Sequence, residues 1–102
     1  MAKPRIELQA LLEQVLGNRN VYFQPPESVK FDYPCIVYER SNMRIDSANN
    51  KEYRKYKRYT VTVIDEDPDS EIPDKLQDLN YCDFDRHFTL DNLNHDVFTL
   101  YF

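Results

Sequence analysis

Leu8, Leu11, Leu12, Val15 and Leu16 fall at i, i+3, i+4, i+7 and i+8, so they share one face of a helix. The spacing predicts a helix from about Pro4 to Leu16. Gly17 is the only glycine among 102 residues, and it stands where a left-handed residue closes a helix; Pro4 falls where a first-turn proline costs nothing. A helix of this length with one apolar face must lie against another layer, and the rest of the chain supplies strands.

Val21 to Phe23 reads as a short extended segment, and Pro25-Pro26 with the polar run to Lys30 reads as a loop. Cys35-Ile36-Val37-Tyr38-Glu39-Arg40 is β-branched and aromatic, with an apolar start that predicts a strand buried on both sides. The pattern weakens between Ser41 and Asn50, where Ser47-Ala48-Asn49-Asn50 forms a turn or flexible tip. From Tyr53 to Asp65 one long strand is expected, with Tyr59, Val61 and Val63 on one face and Arg58, Thr60, Thr62 and Ile64 on the other. Its first half is basic and its second apolar, which predicts a strand that projects beyond the core and enters the sheet near Tyr59.

Asp65 to Ser70 is an acidic loop with Pro68. After it, Asp69 or Ser70 can cap a second short helix with Pro73 in its first turn and Ile72, Leu76 and Leu79 along its apolar edge. Cys82 to Phe102 reads as a hairpin. Phe84, Phe88 and Leu90 lie on its first arm, Asp91 to Asp96 form its turn, and Val97-Phe98-Thr99-Leu100-Tyr101-Phe102 is its second arm, paired into the sheet to the last residue. The fold class is α+β: an N-terminal helix, a mixed or antiparallel sheet of four to five strands, and a second short helix before a C-terminal hairpin, with both helices on one face. Residues 1–102 are one domain, because a chain of this size buries one modest core.

The formal net charge of −5 argues against a protein that wraps a nucleic-acid backbone. No apolar stretch approaches the roughly 20 residues that span a bilayer, and Met1-Ala2-Lys3-Pro4-Arg5 leads into an amphipathic segment, so a cytoplasmic site of assembly is expected. Cys35 and Cys82 lack a close-spaced thiol or histidine partner and read as buried small hydrophobes.

Three clusters could carry chemistry. Asp83, Asp85, His87, Asp91, His95 and Asp96 are all metal-ligand types, but their spacing matches no metal motif, and His87 precedes a core-facing Phe88 while His95 sits in the turn. No metal or other cofactor is assigned. Asp65, Glu66, Asp67, Asp69 and Glu71 are rich in hard oxygen ligands, yet they lack the glycine and ligand order of a calcium loop and suit a strand-to-helix connection. Lys51, Arg54, Lys55, Lys57 and Arg58 interleave with Tyr53 and Tyr56, a composition that suits phosphate contact with base stacking, a guarded strand end, or the positive half of a subunit contact. With no glycine-rich phosphate loop and no nucleophile motif, no residue is assigned to catalysis, and a non-enzymatic role is expected.

Three stretches together resemble the tail terminator, or tail completion, proteins of long-tailed bacteriophages. They are Tyr33-Pro34-Cys35-Ile36-Val37-Tyr38; Arg58-Tyr59-Thr60-Val61-Thr62-Val63-Ile64-Asp65-Glu66-Asp67-Pro68-Asp69-Ser70; and Phe84-Asp85-Arg86-His87-Phe88 with Asp91-Asn92-Leu93-Asn94-His95-Asp96-Val97-Phe98. The resemblance implies a virion protein that forms a six-membered ring on the head-proximal end of the tail tube. The ring stops addition of tube protein, offers a face to head-completion or connector proteins, and passes DNA through its lumen without reading sequence. A ring needs two different patches that meet around a closed cycle. The basic stretch 51–58 and the acidic loop 65–71 are the expected pair, meeting between neighbours or facing different rings. The loop 41–52, with Asn42, Met43, Arg44, Asp46, Asn49 and Asn50, is the segment expected to reach a neighbour or the lumen.

A neck adaptor or head-tail joining protein is the rival structural reading. A small nucleic-acid-binding module using residues 51–58 is the second alternative, and a metal-dependent enzyme using the hairpin cluster is the third.

Overall fold

The computed structural model describes residues 4–41 and 57–102. They form an α+β fold in the order α1 (Arg5–Leu16), β1 (Val21–Phe23), β2 (Cys35–Arg40), β3 (Arg58–Asp65), α2 (Ile72–Gln77), β4 (Cys82–Leu90) and β5 (Leu93–Tyr101). The five strands make one mixed sheet in the order β1-β2-β3-β5-β4. β1 runs parallel to β2, and every other pairing is antiparallel.

α1 follows its leucine spacing. Leu8, Leu12 and Leu16 are buried, Leu11 and Val15 pack against the same core, and Gly17 ends the helix at φ +86° while its N–H donates to the Glu13 carbonyl. Pro4 stands at the N-cap position itself, just before the first helical turn.

The face of α1 meets one side of the sheet. Tyr59, Val61 and Val63 of β3, Ile36 and Tyr38 of β2, and Phe98 and Leu100 of β5 complete this core, with Leu76 of α2 packed into it. Each fully buried leucine of α1 is worth about 1.5–3 kcal/mol of transfer free energy, which is what holds a 12-residue helix in place.

Polar side chains fix how α1 lies. Tyr38 is buried, and its hydroxyl donates to Gln9 Oε1 at 2.5 Å and accepts from Arg5 Nη1 at 3.1 Å. Gln9 Nε2 also donates to the Val21 carbonyl at 3.0 Å, and the Arg5 guanidinium lies 4.5 Å from the centre of the Phe23 ring. Burial pushes the Tyr38 phenol up, while the hydrogen bond and charge of Arg5 pull it down.

β2 has Cys35, Ile36 and Tyr38 buried and Val37 half-buried, in keeping with an apolar run shielded on both sides. β3 alternates as expected, with Ile64 buried on the face away from the helices. The part of the expected long strand before Lys57 lies outside the described residues.

α2 is a single short helix with proline in its first turn. Its N-cap is Glu71, not Asp69 or Ser70, and no side chain bonds across the cap; Ser70 Oγ accepts from the Ile72 N–H at 3.3 Å instead. The C-terminus is paired: Lys57 and Phe102 exchange two backbone hydrogen bonds of 2.9 Å.

The C-terminal hairpin departs from expectation in two ways. Its turn is only Asp91 and Asn92, both at positive φ (54° and 64°), so Leu93 to Asp96 belong to β5. His95 is therefore a strand residue and not a turn residue. β4 is also exposed from Asp83 to Leu90, and Phe84, Phe88 and Leu90 are 46 %, 39 % and 58 % accessible, so they are not core. A bulge between Phe84 and Arg86 is one cause, because it reverses which way the strand's residues point. Phe84 meets Phe98 edge-on on the helix side, whereas Phe88 stacks on His95 on the other side with ring centres 4.6 Å apart.

Candidate interaction surfaces

β3 carries opposite charges at its two ends. It starts at Lys57 and Arg58, both half-buried, and antiparallel β2 finishes beside it at Arg40, opposite Tyr59. At its far end Asp65 leads into Glu66, Asp67 and Asp69, all exposed, with Glu71 just before α2. Seven residue steps separate the two ends of β3, which at the usual strand rise is about 23 Å. Among the described residues, the basic and acidic groups at these two ends therefore do not meet each other.

The acidic loop is shaped by its own carboxylates. Asp65 Oδ1 accepts from the Asp67 N–H at 3.0 Å, and Asp67 Oδ1 accepts from the Asp69 N–H at 2.9 Å, so these two aspartates build consecutive turns. Asn94 of β5 adds weak clamps, its amide donating to the carbonyls of Asp65 at 3.4 Å and Glu66 at 3.5 Å. Glu66, Asp69 and Glu71 have no such duty and, among the described residues, no ion pair.

The negative field of this end reaches its neighbours. Burial pushes the Cys35 thiol up to about 12, with Asp32 and Asp65 adding to the shift. Tyr33 is raised by desolvation, then by Cys35, Asp91 and Glu66.

Of the expected interface residues, Lys57, Arg58, Asp65, Glu66, Asp67, Asp69 and Glu71 lie at these two poles. Lys51, Arg54 and Lys55 lie outside the described residues, as do Asn42, Met43, Arg44, Asp46, Asn49 and Asn50 of the loop expected to reach a neighbour.

The histidine and carboxylate cluster of the hairpin is dispersed by strand alternation. His87 and Asp96 face each other across β4 and β5, His95 points to the opposite side of the sheet, and Asp85 is paired with Arg86 at 3.1 Å. Among the described residues no group of three or more His, Cys, Asp or Glu is placed to hold a metal ion. Cys82 is buried, which pushes its thiol up to about 11, so neither cysteine offers a thiolate. A shallow groove beside α1 is lined by Glu7, Ala10, Leu11, Gln14 and Phe102, with Glu7 its one ionisable side chain.

The surface that sequence reasoning missed is the free edge of β4. Phe84, Phe88 and Leu90 are spaced by even numbers and so read as one buried face; only the bulge separates them. The charged and polar run Asp85, Arg86 and His87 between Phe84 and Phe88, with Asp83 before it, was the available sign of an exposed strand.

Comparison of the chain with models of known protein families, with curated proteins and with solved structures found no match.

Proposed function

We propose that the protein is the terminator ring of a long-tailed phage tail, a structural subunit that closes the head-proximal end of the tail tube and gives the head-side proteins a face to dock on. The observation that carries this reading is the polarity of β3, basic where it begins and acidic where it ends, with the acidic side chains Glu66, Asp69 and Glu71 free of partners among the described residues. One subunit's acidic end fits the next subunit's basic end. That is a head-to-tail contact between different patches, the type of contact that closes into rings.

Charge pairing of this kind sets register and speeds association more than it adds affinity. A net charge of −5 also suits a conduit that DNA must leave, since a basic lumen would hold the phosphate backbone. The resemblance of the strand and hairpin stretches to tail terminators supplies the phage context.

The test is the morphology of particles assembled without this protein. Overlong or ragged tails are expected, because nothing stops tube growth. Tails of normal length that fail to join heads would overturn the terminator reading in favour of a neck adaptor.

A further inference from the structure

The five-stranded sheet has two edges, and they differ. β1 is short and mostly used up: of its two outward-facing residues, Val21 has its carbonyl taken by Gln9 Nε2 at 3.0 Å and its N–H by the Arg19 carbonyl at 2.8 Å, which leaves Phe23. β4 is open. It lies last in the sheet, nine residues long, with eight of the nine exposed. Leu90 and Leu93 flank the two-residue turn and form a hydrogen-bonded pair, so the alternation of an antiparallel ladder turns the N–H and C=O of Thr89 and His87 outward. The regular part of this edge, Arg86 to Leu90, carries Phe88 and Leu90 without a proline or lysine and is a template for another strand.

We infer that β4 is a strand-addition surface and that its occupant is β4 of a second copy of this chain, paired antiparallel about a two-fold axis at Phe88. The alternative in which sheets join β4 to β1 around a ring has only the outward groups of Phe23 to pair with. Residues 86–90, by contrast, complement themselves. In this register Phe88 opposes Phe88 of the second copy, Arg86 opposes Leu90, and His87 opposes Thr89, so the outward backbone groups of the last pair meet as donors and acceptors.

The faces agree as well. Arg86, Phe88 and Leu90 point away from the helices while His87 and Thr89 point towards them, so helix faces align with helix faces in a continuous ten-stranded sheet. Each Phe88 enters the contact already stacked on its own His95. The bulge between Phe84 and Arg86 ends the regular pairing and fixes the register. This contact uses the sheet edge and not the two ends of β3, so it stands independently of the ring reading.

Sedimentation equilibrium of the full chain across a wide concentration range tests it. The native chain is expected to form a dimer. Thr89→Pro removes an outward donor and no bond to β5, and Phe88→Glu sets two like charges face to face; each is expected to leave a folded monomer by circular dichroism. Because Phe88 is a surface residue, its variant carries the test if the proline disturbs the hairpin. Mild oxidation should link Phe88→Cys subunits into a disulfide dimer and leave Leu90→Cys subunits unlinked, since only position 88 meets itself.

A native chain that stays monomeric at every concentration, a dimer that survives both edge variants, or equal cross-linking at 88 and 90 would overturn the proposal. A six-fold assembly of the same mass in the native chain and in both edge variants would overturn the strand pairing while leaving the ring reading intact.

Discussion

Asp96 pairs across the hairpin with His87 on the helix side of the sheet. Burial raises its carboxyl above the ordinary range; His87 opposes that shift, Asp74 adds to it, and His95 opposes it again. A raised acid binds its proton more tightly in the folded state, so its contribution is fully present below the ordinary carboxylate range and is lost as pH rises through the raised value. Asp96→Asn is therefore expected to raise the stability of the protein at neutral pH, with the gain vanishing in acid. Thermal melts of both proteins at pH 4 and pH 7 check this, and an equal difference at the two pH values would contradict it. The cysteines give a second residue-scale expectation. Both are buried, with thiols pushed up to about 12 and about 11. A thiol reagent at neutral pH should leave the native protein unlabelled and modify both residues once denaturant is added. Their burial was legible in the sequence, because an apolar strand surrounds Cys35 and no partner residue surrounds either. His95 was not legible: five polar residues among the six from Asp91 to Asp96 hide the fact that two, both at positive φ, suffice to turn the chain.

At the scale of elements, what the sequence disclosed was periodicity next to one deep core. α1, β2 and β3 each bury a regular stripe, so period and register were readable from Leu8 to Leu16 and from Tyr59 to Val63. β4 buries only Cys82, and there the pattern had no burial to report. The bulge, which depends on pairing with β5, leaves no mark in the local sequence. The weight of the closing strand can be measured. Phe102 packs against the core and exchanges two hydrogen bonds with Lys57, while the Tyr101 N–H donates to the Tyr81 carbonyl. Both side chains are half-buried, so deleting the two residues should cost about 2–4 kcal/mol, less than two fully buried aromatics, and lower Tm by roughly 10–25 °C in a domain of this size. An unchanged melting temperature would show that the strand end contributes nothing. Leu12→Ala, which empties a fully buried site between helix and sheet, should cost about 2–5 kcal/mol and serves as the reference for that measurement.

For the whole molecule, the distance between the poles of β3 has a consequence for assembly that a single substitution would not isolate. Reversing the acidic end with Glu66→Lys, Asp69→Lys and Glu71→Lys spares Asp65 and Asp67, whose side chains build the loop, and leaves three lysines against two carboxylates. The result is a subunit basic at both ends. Reversing the opposite end with Arg40→Glu and Lys57→Glu, beside Glu39, gives a subunit acidic at both ends. In a head-to-tail ring each protein alone presents like charges at every contact, and its assembly should fail or slow strongly at low salt. An equal mixture restores opposite charges at every contact when the two kinds alternate around the cycle. Alternation closes without a fault only in a ring with an even number of subunits, as the expected hexamer has. Native mass spectrometry of the mixture should therefore show rings with equal numbers of both variants, formed readily at low ionic strength and slowly once salt screens the contacts within about 10 Å. If the mixture assembles no better than either protein alone, the two ends of β3 do not meet between neighbours, and the ring, if it forms, is held by other surfaces.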